Sequence, residues 1–147
     1  MTERPRDLRS DVVEWVEKAE QDWIAVGCLD PLIIPTVICF HCQQCAEKYL
    51  KALLTVHDQV PPRPHDLGVL LDSALHEEPE LSDVSEELLL LDRYAVAIRC
   101  PGPDADEQEA VTATSAAAVV RDTCRHLLGL LGETTEEGQQ PGETEDG

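Results

Sequence analysis

The chain has 147 residues, a formal net charge of -19 and five aromatic side chains, Trp15, Trp23, Phe40, Tyr49 and Tyr94. That length suits one domain with its own core and is short for two. The charge disfavours broad, non-specific binding to nucleic acid or to an anionic membrane, and the few aromatics leave Leu, Val, Ile and Ala to fill the core, as in helix packing.

Residues 1–9 read as a loose basic N-terminal arm. A first helix is predicted from Ser10 or Asp11, with Glu14 three residues after Asp11 as in a capping box. Val12, Trp15, Val16, Ala19, Trp23 and Val26 form one helical face, and Pro31 ends it. Pro35 suits the first turn of a second helix that runs to about Val56 or His57. Val37, Phe40, Ala46, Tyr49, Leu50, Leu53 and Leu54 make it apolar on more than one side, which predicts a central position. The stretch DQVPPRP cannot continue it, because its prolines forbid helix.

A short third helix follows from Leu67, Leu70, Leu71, Ala74 and Leu75, closed by Pro79. A fourth is predicted from about Ser82 to Arg99, with the stripe Leu88, Leu91, Ala95 and Ile98. After the breaker cluster CPGPD a fifth begins near Asp104, with Glu107 as a second capping box. Ala110, Thr114, Ala117, Cys124, Leu128 and Leu131 mark its buried side, and Gly132 stops it. From Gly132 onward the last sixteen residues carry six acids and no base. This tail (132–147) cannot bury a core and is predicted to be disordered. No period-2 strand pattern or internal repeat is visible. The fold class is therefore all-α: one domain over 10–131, a five-helix antiparallel up-and-down bundle.

No apolar run follows a basic start, and none approaches the length of a membrane span, so the expected setting is cytoplasmic with no membrane contact. Six cysteines are then expected to be reduced. Cys39, Cys42 and Cys45, with a distant Cys100, superficially resemble an iron–sulfur run, and His41 adds a zinc-type ligand. The run lies inside a predicted helix, whereas a cluster needs a loop to wrap it, so the cysteines read as small core residues. No metal and no cofactor is expected.

The stretch FHCQQCAEKYLKALL (40–54) is the most distinctive. It resembles the signature helix of HEPN domains, in which Phe-His precedes two glutamines, a Glu-Lys pair and an apolar end. Trp15, Ala19 and Asp22 resemble that family's first helix. Pro64-His65-Asp66-Leu67 resembles its entry to the third helix, and DRYAVAIRCPG its Arg-Tyr-Pro-Gly loop, with Cys100 where Tyr is usual. The resemblance spans residues 10–131. It implies a helical bundle that commonly dimerises, often encoded beside a minimal nucleotidyltransferase in a toxin–antitoxin-like pair. Some members are ribonucleases; others are thought to bind nucleotides or to act as inactive partners.

Candidate site residues carry a bland and a sharp reading each. Glu47 and Lys51 stand four apart, as a surface ion pair worth a few tenths of a kcal/mol; alternatively Lys48 and Lys51 contact a phosphate or an acidic partner. Gln43 and Gln44 are neighbours, so one faces inward and needs hydrogen-bond partners. Asp66 caps the third helix, and His65 anchors a loop or borders an anion cleft with Arg63 and Arg99. The resemblance also implies a metal-independent ribonuclease mechanism for members with Arg, four to six residues, then His. There the His activates the ribose 2′-hydroxyl and the Arg steadies the phosphate. Arg121 and His126 fit that spacing as catalytic candidates, but five helical steps place them about 140° apart on a regular helix. Three functions compete: a non-catalytic HEPN module that forms a homodimer and holds a nucleotidyltransferase-like partner, with a nucleotide or RNA as ligand; a ribonuclease toxin using Arg121 and His126; or a cytosolic scaffold with no ligand.

Overall fold

A computed structural model describes residues 9–61, 67–95 and 104–130. Five α-helices account for most of them: α1 (Ser10–Cys28), α2 (Pro35–Val56), α3 (Leu67–Glu77), α4 (Ser85–Asp92) and α5 (Glu107–Leu127), with a 3-10 helix (Pro79–Val84) leading into α4. The architecture is an all-α bundle, with no strand among the described residues. No helix among them is long and apolar enough to cross a membrane.

Pro35 at its first turn starts α2, since it needs no intrahelical N–H there. The helix is buried on several sides. Tyr49, Leu50 and Ala52 are fully buried, and Ile38, Leu53 and Leu54 nearly so. Burying a Leu or Ile side chain contributes about 1.5–3 kcal/mol, so this helix alone brings in a large share of the hydrophobic stabilisation. α1 packs antiparallel to α2: Trp15 lies against Lys51, Glu20 against Tyr49 and Asp22 against His41. α5 runs in the same sense as α2, because Thr36, Cys42 and Tyr49 meet Ala105, Thr114 and Arg125 in that order. The alternation of directions therefore holds for α1 and α2 and not for α2 and α5. The short α3 and α4 between them bring α5 back alongside α2.

Several ends differ from the sequence expectation. α1 begins at Ser10, one of its two expected starts, but Arg9 is its cap with no side-chain cap bond, so the Asp11–Glu14 box does not form. Asp11 instead sits in the first turn, where its charge suits the helix dipole. Arg9 itself, the last residue of the expected loose arm, donates to the Asp58 carboxylate and the Thr55 carbonyl. The expected fourth helix is divided: Pro79 opens the 3-10 helix, and α4 proper spans Ser85–Asp92 before a turn at 93–95. Ile98 and Arg99 lie outside the described residues, as do Leu131 and the tail.

The run Asp104-Ala105-Asp106-Glu107-Gln108-Glu109 holds two Asp-x-x-Glu pairs. The second one caps α5: Asp106 accepts from Glu109 N–H at 2.8 Å, and Asp106 N–H donates back to the Glu109 carboxylate at 3.0 Å. The chain is still extended at Asp106, and the Ala105 N–H is held by Thr36 Oγ1 at 2.9 Å, so the helix cannot begin at Asp104. Asp106→Ala is expected to cost about 1 kcal/mol, read as a lowered midpoint in urea with an unchanged slope. The same change at Asp104 is expected to leave the midpoint in place. At its other end α5 closes with a Schellman motif: Leu130 N–H reaches the Arg125 carbonyl at 2.7 Å and Gly129 N–H the His126 carbonyl at 3.0 Å. Gly129 takes φ 83°, a left-handed conformation that favours glycine. The stop thus falls at Gly129 and not at Gly132.

Candidate functional site

The polar residues of α2 do not face solvent as a row. They sit in the seams where α1 and α5 pack, and three clusters result.

In the first, Glu20 of α1 faces α5. Arg121 grips its carboxylate with two bonds, Nε to Oε2 and Nη2 to Oε1, each 2.7 Å. Tyr49 donates its hydroxyl to the same carboxylate, and Arg125 Nη1 donates to the Tyr49 oxygen at 3.1 Å. The Arg121 guanidinium also lies 5.4 Å from the Trp23 ring centroid, a cation–π distance. Burial pushes the Glu20 carboxyl pKa up, but hydrogen bonds from Arg121 and Tyr49 and the charges of Arg121 and Arg125 outweigh it, so the carboxyl is held below its ordinary value. The Tyr49 hydroxyl is pushed up by burial and by donating to Glu20.

In the second, Asp22 is a buried carboxylate shared by two α2 side chains. One oxygen meets His41 Nδ1 at 2.7 Å and the other meets Lys48 Nζ at 2.7 Å. His41 keeps 28% of its side chain exposed. A proton on the nitrogen facing Asp22 leaves Nε2 as the acceptor, which is how a carboxylate orients an imidazole.

In the third, Gln43, Glu47 and Lys51 stack one turn apart along α2. Lys51 Nζ meets Glu47 at 2.8 Å, and Gln43 and Gln44 donate to the other Glu47 oxygen at 3.1 and 3.3 Å. Glu47 is 1% exposed and Lys51 7%. The expected surface pair is therefore a buried one. Trp15, centred 5.2 Å from the Lys51 ammonium, covers it. Gln43 is the inward glutamine, fully buried. Among the described residues no buried side-chain nitrogen or oxygen lacks a hydrogen-bond partner.

Four of the five cysteines on these helices are sealed, Cys28 at the end of α1 being exposed. Cys39, Cys42, Cys45 and Cys124 are all buried. Burial raises the thiol pKa of Cys39 to about 11 and of Cys42 to about 12, and raises those of Cys45 and Cys124 as well. Among the described residues no three His, Cys, Asp or Glu side chains converge as a metal site would require.

The sequence candidates thus occupy separate places. Lys48, Lys51 and Arg121 each face an internal carboxylate, Asp22, Glu47 and Glu20 respectively. His126 is exposed in the last turn of α5, which is continuous through both Arg121 and His126. Arg121 points to α1, while His126 stands about 140° around the helix. Arg63, His65 and Arg99 lie outside the described residues. Sequence reasoning missed Glu20, Tyr49 and Arg125 as partners. Glu20 and Arg121 are 101 residues apart, so no local spacing signals their pairing.

Chemically, these clusters neutralise cations rather than present them. An anion would have to displace Asp22 from Lys48 or Glu20 from Arg121.

A family model described as HEPN domain matches residues 12–127, well over half of the chain. No curated protein and no solved structure matches the chain.

Proposed function

The chain belongs to the HEPN domain family, and from that premise we propose that it is a non-catalytic member: a nucleotide- or RNA-related module that self-associates and holds a nucleotidyltransferase-like partner in a toxin–antitoxin-like pair. The observation that carries this reading is the state of Arg121. Its guanidinium makes a two-bond clamp on Glu20 and covers Trp23, and His126 leaves the helix on another side. A ribonuclease needs both groups at one phosphate. The acidic net charge supports the same view, since it disfavours non-specific RNA capture.

The competing reading is a metal-independent ribonuclease using Arg121 and His126. Purified wild-type chain and the His126→Ala variant are expected to leave a labelled RNA uncut to the same extent, and both are expected to be tolerated on expression. RNA cleavage lost in His126→Ala would overturn the proposal. Binding is tested by thermal shift against nucleoside mono-, di- and triphosphates. A ligand for the native state raises the midpoint by mass action, by about 2.7 kcal/mol of stabilisation at a hundredfold excess over Kd. A flat panel would remove the nucleotide from the proposal and leave the partner-holding role.

A further inference from the structure

Of the five histidines of the chain, four lie among the described residues, and their surroundings differ. His57 has both ring nitrogens turned to acids, Nε2 to Glu78 at 2.7 Å and Nδ1 to Glu77 at 3.7 Å, so it ties the end of α2 to the end of α3. His76 and His126 are exposed on α3 and α5. His41 differs from all three. Its Nδ1 is fixed on the buried Asp22 carboxylate at 2.7 Å, and its ring meets Phe40 edge to face. Nε2 has no partner among the described residues. No buried side-chain nitrogen or oxygen there lacks one, so Nε2 opens to water.

The result is a nitrogen nucleophile set on a rigid helix. The proton sits on Nδ1 against Asp22, and the Nε2 lone pair is free to attack. A bond formed at Nε2 while Nδ1 keeps its proton makes the ring cationic. Asp22, in direct contact with Nδ1, is placed to hold that charge.

The neighbours select the group to be accepted. All three lysines of this acidic chain, Lys18, Lys48 and Lys51, stand on α1 and α2. Lys48 bonds the second oxygen of Asp22. Lys18 is exposed one turn before Asp22, on the same face of α1. Cations beside the imidazole favour an anionic electrophile over a neutral one. The surroundings also favour transfer over turnover. A cavity of about 390 Å³ at the end of α1 is lined by Trp23, Gly27 and Ile38 among others, and a second of about 290 Å³ by Asp11, Glu14, Trp15 and Lys18; His41 borders neither. A small substrate needs a pocket to hold it for reaction. A residue that takes a group from a donor seated elsewhere does not.

We propose that His41 is a phosphoryl-acceptor site, taking the group from a donor of the phosphoramidate or acyl phosphate class. The Nε2 lone pair attacks phosphorus and a P–N bond forms. The donor's bond from phosphorus to its leaving group breaks, and that group departs with the bonding pair. Nδ1 keeps its proton on Asp22 throughout. The phosphoryl group is held covalently, so Lys48 stays on Asp22. This modification is separate from the partner and ligand proposed above and does not depend on them.

The full chain is incubated with potassium phosphoramidate at about pH 8, where ordinary imidazoles are neutral. Peptide mass spectrometry, without acid treatment, follows each histidine over time. His41 is expected to gain a phosphoryl group about tenfold faster than His76 and His126, which report the rate of an unassisted imidazole in the same molecules. Asp22→Asn keeps an oxygen acceptor for Nδ1 and removes the charge. It is expected to bring His41 down to the rate of His76, with helix content by circular dichroism unchanged. In wild type, His41 labelled no faster than the exposed histidines would overturn the proposal without any variant. A folded Asp22→Asn that labels His41 at the wild-type rate would overturn it too, because the carboxylate carries the argument. If Asp22→Asn unfolds, the wild-type comparison decides alone.

Discussion

Replacing Glu47 by Ala is expected to destabilise the protein by about 3–5 kcal/mol, the cost of breaking a buried ion pair on one side only. Glu47 is the acceptor for the Lys51 ammonium and for the amides of Gln43 and Gln44. Its removal leaves a cation that is 7% exposed, and a fully buried Gln43 short of an acceptor. A domain of this size has only about 5–15 kcal/mol in hand, so a single substitution consumes a large fraction. Urea unfolding followed by circular dichroism measures it. The double variant Glu47→Leu with Lys51→Leu removes both charges and keeps similar volume, so it is expected to regain most of the loss, less about 1–3 kcal/mol for the unpaired Gln43 amide. A double variant as unstable as Glu47→Ala would show that the charge pair is not the source of the effect.

The second large effect is at Glu20. Its carboxylate joins three helices, α1 through its own backbone, α2 through Tyr49 and α5 through Arg121 and Arg125. Glu20→Ala is expected to cost about 2–3 kcal/mol, less than at Glu47 because a quarter of the Glu20 side chain is in water and screens the charges. It also gives the protein a pH dependence of definite sign. The folded-state carboxyl is held below its unfolded value, so its contribution is fully present above the ordinary carboxylate range and is lost as pH falls through the lower, folded value. Stability measured from pH 7 down to pH 3 is expected to fall less steeply in Glu20→Gln than in wild type. Parallel curves would show that Glu20 is not the titrating group behind the slope.

How far the sequence carries can be judged from these same residues. The central position of α2 was legible, because its apolar residues appear on more than one side and only burial from several directions satisfies them. So was Pro35 at its start, where ring geometry and a missing N–H both fit. Helix starts were less legible. Two Asp-x-x-Glu pairs in the run before α5 are chemically equivalent, and the choice is made by Thr36, 69 residues away in sequence. The continuing leucines after Gly129 hid the end of α5, since periodicity alone cannot see a left-handed residue.

Within the site, the pairs on one helix were legible as spacings, but not their burial. Glu47 and Lys51 are four apart wherever the helix lies; Trp15 on α1 decides that they are inside. The Glu20–Arg121 clamp was not legible at all. Arg121 and His126 present a motif spacing on paper, whereas the bundle turns Arg121 toward α1 and gives it a carboxylate.

One consequence follows from the sealed thiols on α2 and α5. A sulfhydryl that burial keeps protonated is a poor nucleophile. Cys28, the residue after Gly27, is the exposed one among the described residues. Among the five described cysteines an alkylating dye would therefore settle first on Cys28, while the four interior sulfurs stay dark. The molecule thus carries its own attachment point for a fluorescent reporter, beside Gly27 at the C-terminal end of α1.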